Sequence, residues 1–278
     1  MANAPDEAAA SEDLYFSSHN PSSPKTVVLL HGLFCSHLEW EHVVPHLEGY
    51  HLIVPDLPQH SRSRAIRPFS LGLAADKVAS LIERHAHGGT AHVVGMSLGG
   101  FVAMDLIRRH AALVDSAFVA GAAPFRPWQV WAAQRATALH WVLRAVEKSG
   151  IERVVAWQSG MKPHDQMQKE AAANKEASLV RDAYRELSMW QYEDVKSVGA
   201  LDKRILAVAG GKVDSAEATK QMGDILKQQG REGGKETRAA VVQKAIHEWN
   251  LQYPELFADG VKAWVENQPL PEEFEILT

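Results

Sequence analysis

The sequence predicts an α/β protein with a mostly parallel central sheet and helices on both of its faces. Three observations carry this. Short apolar runs closed by turn residues alternate with segments of helical period. One of those helical segments, Leu98–His110, is apolar nearly all round, as a helix buried against a sheet must be. A single long stretch, 124–199, breaks the alternation and contains no good strand. Strands that alternate with helices pair in parallel and are covered on both faces.

The elements follow in order. Residues 1–13 are Ala-rich and acidic and read as a disordered tail. Leu14–Ser18 and a turn at Asn20–Pro24 precede a buried strand, Val27–Leu30, closed by His31-Gly32. Ser36–Leu47 reads as a helix, with Leu38, Val43 and Leu47 near one face, and His51–Val54 as the next strand. Ser70 caps a helix running to about His87, with Leu73, Val78, Leu81 and Ile82 in its apolar stripe. Ala91–Val94 is a strand, Leu98–His110 the buried helix, and Ser116–Ala120 a strand. The last strands are Arg204–Ala209 and Ala239–Gln243, and Pro254–Asn267 closes the chain as a helix. The core thus comprises 14–123 and 200–278, with 124–199 as a helical insertion expected to pack as its own layer. Helix-like segments near 127–148, 150–158 and 165–190 fill that insertion, and Leu179, Ala183, Leu187 and Trp190 share one helical face. Five of the chain's eight tryptophans lie there: Trp128, Trp131, Trp141, Trp157 and Trp190.

Composition narrows the function. The 278 residues are 46% apolar and 23% charged with net charge −5, so nothing asks for nucleic acid or an acidic membrane surface. A single cysteine, Cys35, excludes a disulfide framework within the chain. The N-terminal segment lacks the basic-then-apolar pattern of a secretory signal, and no run approaches a membrane span. The expectation is a soluble, cytoplasmic protein whose partner is a small-molecule substrate.

The chemistry centres on Gly95-Met96-Ser97-Leu98-Gly99, which matches G-x-S-x-G between a strand and a buried helix. In that setting the serine occupies a strained turn that lifts its hydroxyl above the sheet edge, and crowding two residues away calls for glycine. The following helix aims its free N–H groups and partial positive charge at the reacting centre. Acyl transfer needs two N–H donors for the oxyanion. Leu98, after the nucleophile, supplies one; Leu33, in His31-Gly32-Leu33-Phe34, is the best candidate for the other and Phe34 the second. Serine also needs a base held by a carboxylate. His247 follows the last strand and Asp214 follows the one ending at Gly210-Gly211, both at the edge that carries the serine. Asp202 precedes its strand, at the opposite edge, and Glu248 is expected to be solvated.

With Val27–Gly32, Val54–Leu57, Gly95–Gly100, Asp214 and His247, the chain resembles the α/β-hydrolase superfamily, in its cap-bearing esterase and lactonase type, over about 14–267. The run His247–Phe257 resembles fungal members, several from secondary-metabolite pathways. The chain order Ser97, Asp214, His247 is the one that fold uses. The resemblance implies a serine hydrolase that cleaves esters or lactones without metal or organic cofactor. It also implies that the insertion follows the sixth strand and forms a helical cap. Phe34, Met96, Trp128, Trp131, Trp157 and Trp190 are the candidate pocket residues. The same triad serves C–C hydrolysis, acyl transfer and lyase chemistry, and the same fold serves as a small-molecule sensor. Two departures stand out. Members usually place Gly-His-Gly where this chain has Gln59-His60-Ser61, and the N-terminal hairpin is shortened. His60 reads as structural.

Other motifs carry less. His42/His46 and His85/His87 lack further metal ligands at a suitable spacing. The Gly230–Lys235 stretch lacks the strand–loop–helix setting of a phosphate loop. Cys35 is off the elbow, and the elbow bears serine rather than the aspartate of enzymes that attack with a carboxylate.

Overall fold

A computed structural model describes residues 13–161, 165–229 and 236–278. The tail assigned to residues 1–13 (save Asp13) and the Gly230–Lys235 stretch therefore lie outside the described residues.

The sheet has eight strands: β1 Phe16–His19, β2 Thr26–Leu30, β3 His51–Pro55, β4 Ala91–Met96, β5 Val114–Ala120, β6 Arg204–Gly210, β7 Arg238–Val242 and β8 Glu275–Ile276. Their order is β1-β3-β2-β4-β5-β6-β7-β8. β3, β2, β4, β5, β6 and β7 run parallel, and only the edges are antiparallel, β1 on β3 and β8 on β7. The central strands β2 and β3 are buried along their whole length, which is why they read as continuous apolar runs rather than alternating ones.

Helices α1 Leu71–His85 and α2 Leu98–His110 cover one face. Ser70 caps α1 by accepting from the Leu73 N–H. The other face is closed by an aromatic cluster of Trp40, Phe118, Trp249, Phe257 and Phe274. Between β5 and β6 run α3 Pro127–Ala133, α4 Ala136–Ser149, α5 Ile151–Gln158, α6 Asp165–Asn174, α7 Ala177–Met189 and α8 Tyr192–Gly199. Then follow α9 Ala216–Gln229, α10 Trp249–Gln252 and α11 Pro254–Val265.

The structure corrects four expectations. The insertion follows the fifth strand, not the sixth, because a single strand, β1, stands where the usual hairpin would supply two. Ser36–Leu47 is not one helix but two 3-10 turns, His37–Trp40 and Val44–His46; Pro45 inside the segment removes a donor and clashes with the preceding turn. α8 packs against α2 and α9, so the last part of the insertion belongs to the layer on the sheet. The Leu179, Ala183, Leu187, Trp190 face is buried, but in the main core rather than in a layer of its own.

The chain leaves β2 toward β3 on one side and returns to β4 on the other. Ligands of open parallel sheets bind where the order reverses in this way, beyond the carboxyl ends of the strands. Leu30 at the end of β2 pairs with Gly95 near the end of β4, so the loops that follow them emerge side by side.

Candidate active site

Ser97 holds φ 51° and ψ −114° between β4 and α2, the strained turn expected of an exposed nucleophile. Its N–H donates to the Ala120 carbonyl (2.8 Å), which ties the turn to the end of β5. The flanking glycines are needed for close approach. A methyl on Gly95 would collide with the Gly99 carbonyl, and one on Gly99 with the Leu30 carbonyl.

Asp214 sits in the turn after β6. Its Oδ2 accepts from the Gly210 N–H (2.8 Å), and its own N–H donates to the Gly210 carbonyl (2.9 Å). Its Oδ1 lies 2.6 Å from His247 Nδ1. An ionised carboxylate only accepts, so Nδ1 carries the proton and Nε2 is left with its lone pair free to accept one. The His247 ring packs over Gly121, where a methyl would come within 2.6 Å of Cε1. Gly121 directly follows Ala120, the acceptor of the Ser97 N–H, so the imidazole and the serine turn meet at one strand end. Burial pulls the His247 pKa down, but the Asp214 hydrogen bond and charge, with the charges of Glu248 and Glu39, outweigh it, and the net shift is upward.

The first turn of α2 leaves the Leu98 N–H without a helical acceptor. Among the described residues, neither it nor the Leu33 N–H has a hydrogen-bond partner. Phe34, the second candidate donor, is already engaged: its N–H donates to His60 Nε2 at 3.3 Å. His60 is buried with Nδ1 on the Pro58 carbonyl, and burial pushes its pKa down to about 3. It is a neutral brace under the loop. His31 does the same from the other side, with Nδ1 on the Gly32 carbonyl (2.8 Å) and Nε2 accepting from the Leu57 N–H (2.9 Å).

The pocket residues read from sequence divide. Phe34 is buried in the core at the foot of the loop, with φ 69°. Met96 has no exposed surface, and its Cε, like the His247 ring, lies against Gly121. Trp190 is a core staple, edge-on to Phe101 with the Arg108 guanidinium over its face, and not a pocket wall. Trp128, Trp131 and Trp157 are 65%, 59% and 78% exposed. Trp141 is equally outward.

One buried group escaped the sequence reading altogether. Glu39, 1% exposed, receives the Gly32 N–H on Oε2 (2.6 Å) and the Asn250 amide on Oε1 (2.9 Å). Burial raises its pKa to about 7 against the pull of those donors. Nothing local signalled it: Glu39 stands among Ser36, His37, Glu41 and His42, and a solvated glutamate gives the same letters.

A model of the alpha/beta hydrolase family matches residues 27–259. An AB hydrolase superfamily protein of Gibberella zeae is 29% identical over 95% of this chain and 88% of its own. A pimeloyl-[acyl-carrier protein] methyl ester esterase of Neisseria meningitidis is 34% identical, but over only 34% of this chain and 36% of its own. Among solved structures, a thermophilic esterase from Thermogutta terrifontis superposes with a TM-score of 0.68 at 18% identity, covering 91% of this chain and 93% of that one. An enol-lactonase from Burkholderia xenovorans does so at 0.66 and 15%, covering 91% and 96%.

Proposed function

Because the chain belongs to the alpha/beta hydrolase family, we propose that it is a serine hydrolase cleaving a carboxylic ester or lactone of a mostly apolar small molecule. The observation that carries this reading is the 2.6 Å His247–Asp214 contact, held over Gly121 beside the strained Ser97 turn. His247 Nε2 takes the Ser97 proton as Oγ attacks the carbonyl, and Asp214 fixes the tautomer and stabilises the imidazolium. The Leu33 and Leu98 N–H groups receive the oxyanion. Collapse expels the alcohol, which takes the proton back from His247. Water, deprotonated by the same nitrogen, then releases the acid. An esterase and an enol-lactonase among the proteins of like fold support the choice of acyl chemistry.

Fluorophosphonate labelling followed by peptide mapping tests the assignment. Ser97 is the expected single site. Ser97→Ala is expected to lose labelling and p-nitrophenyl ester turnover while folding normally, because one half-buried hydroxyl adds little stability. Labelling or turnover that survives Ser97→Ala overturns the reading.

A further inference from the structure

Glu39 occupies a position that the reaction above does not use. It lies in the 3-10 turn His37–Trp40, and its carboxylate is buried where two donors meet. The Gly32 N–H reaches Oε2 at 2.6 Å, and the Asn250 side-chain amide reaches Oε1 at 2.9 Å. Gly32 directly precedes Leu33, whose N–H is free for the oxyanion. Asn250 follows His247 by three residues, in α10 at the end of the base loop. A methyl placed on Gly32 would lie 3.5 Å from Glu39 Oε2 and 3.6 Å from the Ser97 Cβ, so the carboxylate stands directly behind the reacting centre.

From this geometry we propose that Glu39 is a positioning residue, a buried carboxylate that fixes the oxyanion loop through Gly32 and the base loop through Asn250 against one another. The inference rests on the serine hydrolase reading above. Three physical points support it. First, both hydrogen-bond partners are donors, one on each oxygen, so the site calls for a group that accepts at both ends; a carboxylate fits, and an amide does not, because its NH2 would face another donor. Second, a buried carboxylate is costly even when hydrogen-bonded, and well-packed apolar residues would serve stability at least as well. Third, a peptide plane whose N–H is pinned by a charge-assisted bond at 2.6 Å cannot rotate freely, and that restricts where the next N–H, on Leu33, points. Oxyanion donors act only when already aimed at the developing charge, so a brace one residue away acts on the transition state and not on substrate binding.

The test uses the full chain with Glu39→Gln, Glu39→Asp and Asn250→Ser. Active sites are titrated with a fluorophosphonate, and kcat, KM and the phosphonylation rate are measured per titrated site with p-nitrophenyl butyrate as substrate. Glu39→Gln is expected to lower kcat and the phosphonylation rate together by about thirtyfold or more, with KM within about threefold. Glu39→Asp, which keeps the charge on a shorter arm, is expected to fall in between. A purely structural glutamate would lower the melting temperature and the titratable fraction but leave both rates per site unchanged, and that result overturns the proposal. If Glu39→Gln does not fold, Asn250→Ser decides: a loss of at least about threefold in both rates supports the brace, and unchanged rates refute it. The Gly32 amide proton resonance separates this inference from the reading beneath it. An unlabelled wild type or a labelled Ser97→Ala removes the hydrolase assignment. A Gly32 amide unmoved in a folded Glu39 variant removes the brace.

Discussion

Asp214→Asn is the sharpest probe of the base, because the structure dictates how the new amide must sit. Asp214 Oδ2 accepts from the Gly210 N–H at 2.8 Å, and Oδ1 faces His247 Nδ1 at 2.6 Å. An asparagine must keep its oxygen on the Gly210 N–H, since turning the NH2 there would set donor against donor. Its NH2 then faces His247 and demands an unprotonated Nδ1. The proton moves to Nε2, and the nitrogen that should deprotonate Ser97 no longer accepts. The lost charge adds to this. At an effective dielectric of about 20, an imidazolium about 4 Å from a carboxylate gains ~4 kcal/mol, or about three decades in rate. The expected fall in kcat is about 10²–10⁴-fold with the fold intact. Stopped-flow p-nitrophenyl ester turnover, normalised to phosphonate-titrated sites, measures it. If Asp214→Asn stays within about threefold of wild type while Asp202→Asn is inactive, the acid is misassigned.

Two further outcomes follow from the same geometry. The net upward shift of the His247 pKa places the acid limb of kcat/KM above the ordinary histidine value of about 6.5, because the base works only when neutral; Asp214→Asn moves that limb down. The linked stability has the opposite sense: the raised pKa stabilises the fold below the unfolded-state pKa, and that contribution is lost as pH rises through the folded-state pKa, as urea titrations at stepped pH will read. Trp190→Leu is expected to cost about 1–3 kcal/mol by emptying a core site, against about 0.5 kcal/mol or less for exposed Trp141→Leu. At least one of Trp128→Leu, Trp131→Leu and Trp157→Leu is expected to change the bulky-to-short ester ratio of kcat/KM by about tenfold; three unchanged ratios would move specificity elsewhere.

Candidates for such a site could be picked from the sequence because the chemistry demands particular letters in particular settings. Only glycine fits at 95 and 99 between β4 and α2, so the elbow wrote itself into the sequence. Asp214 and His247 were picked by the sheet edge they follow, which strand polarity fixes once the strands are located, and the structure brings them within 2.6 Å of one another. The pocket was not legible. A helical stripe of tryptophans records amphipathicity but not what lies opposite, and Trp190 faces the core while Trp157 faces solvent. Glu39 was invisible for a related reason. Its role depends on Gly32, seven residues before it, and Asn250, 211 residues after it, and no local pattern encodes a meeting of that kind.

The turn after β3 takes a conformation that usually favours glycine and holds it with side chains. Gln59 and Ser61 stand where the resemblance to the family implies glycine, and both take positive φ, 65° and 40°. A side chain in that region costs roughly 1–2 kcal/mol per residue. Here the Gln59 amide and the Ser61 hydroxyl offset it with three bonds that glycine cannot make, and the Ser61 N–H adds one that any residue makes. Gln59 accepts from the Phe69 N–H (2.7 Å) and donates to Ser178 Oγ (3.0 Å). The Ser61 N–H donates to Asn174 Oδ1 (2.8 Å), and its hydroxyl accepts from Asn174 Nδ2 (3.0 Å). The same buried Asn174 amide reaches the Phe34 and Cys35 carbonyls at 2.9 and 3.0 Å. At about 1 kcal/mol net per bond, the local balance is close to even. What the substitutions add is attachment: Asn174 ends α6 and Ser178 lies in the first turn of α7, so the strained turn fastens both helices to the loop that carries Leu33. In a glycine version of this turn α7 would lose the Gln59–Ser178 bond and α6 the Ser61 hydroxyl bond, while Asn174 would keep its bonds to the N–H of residue 61 and to the Phe34 and Cys35 carbonyls, so the strain at Gln59 and Ser61 is the counterpart of an added hold, chiefly on α7.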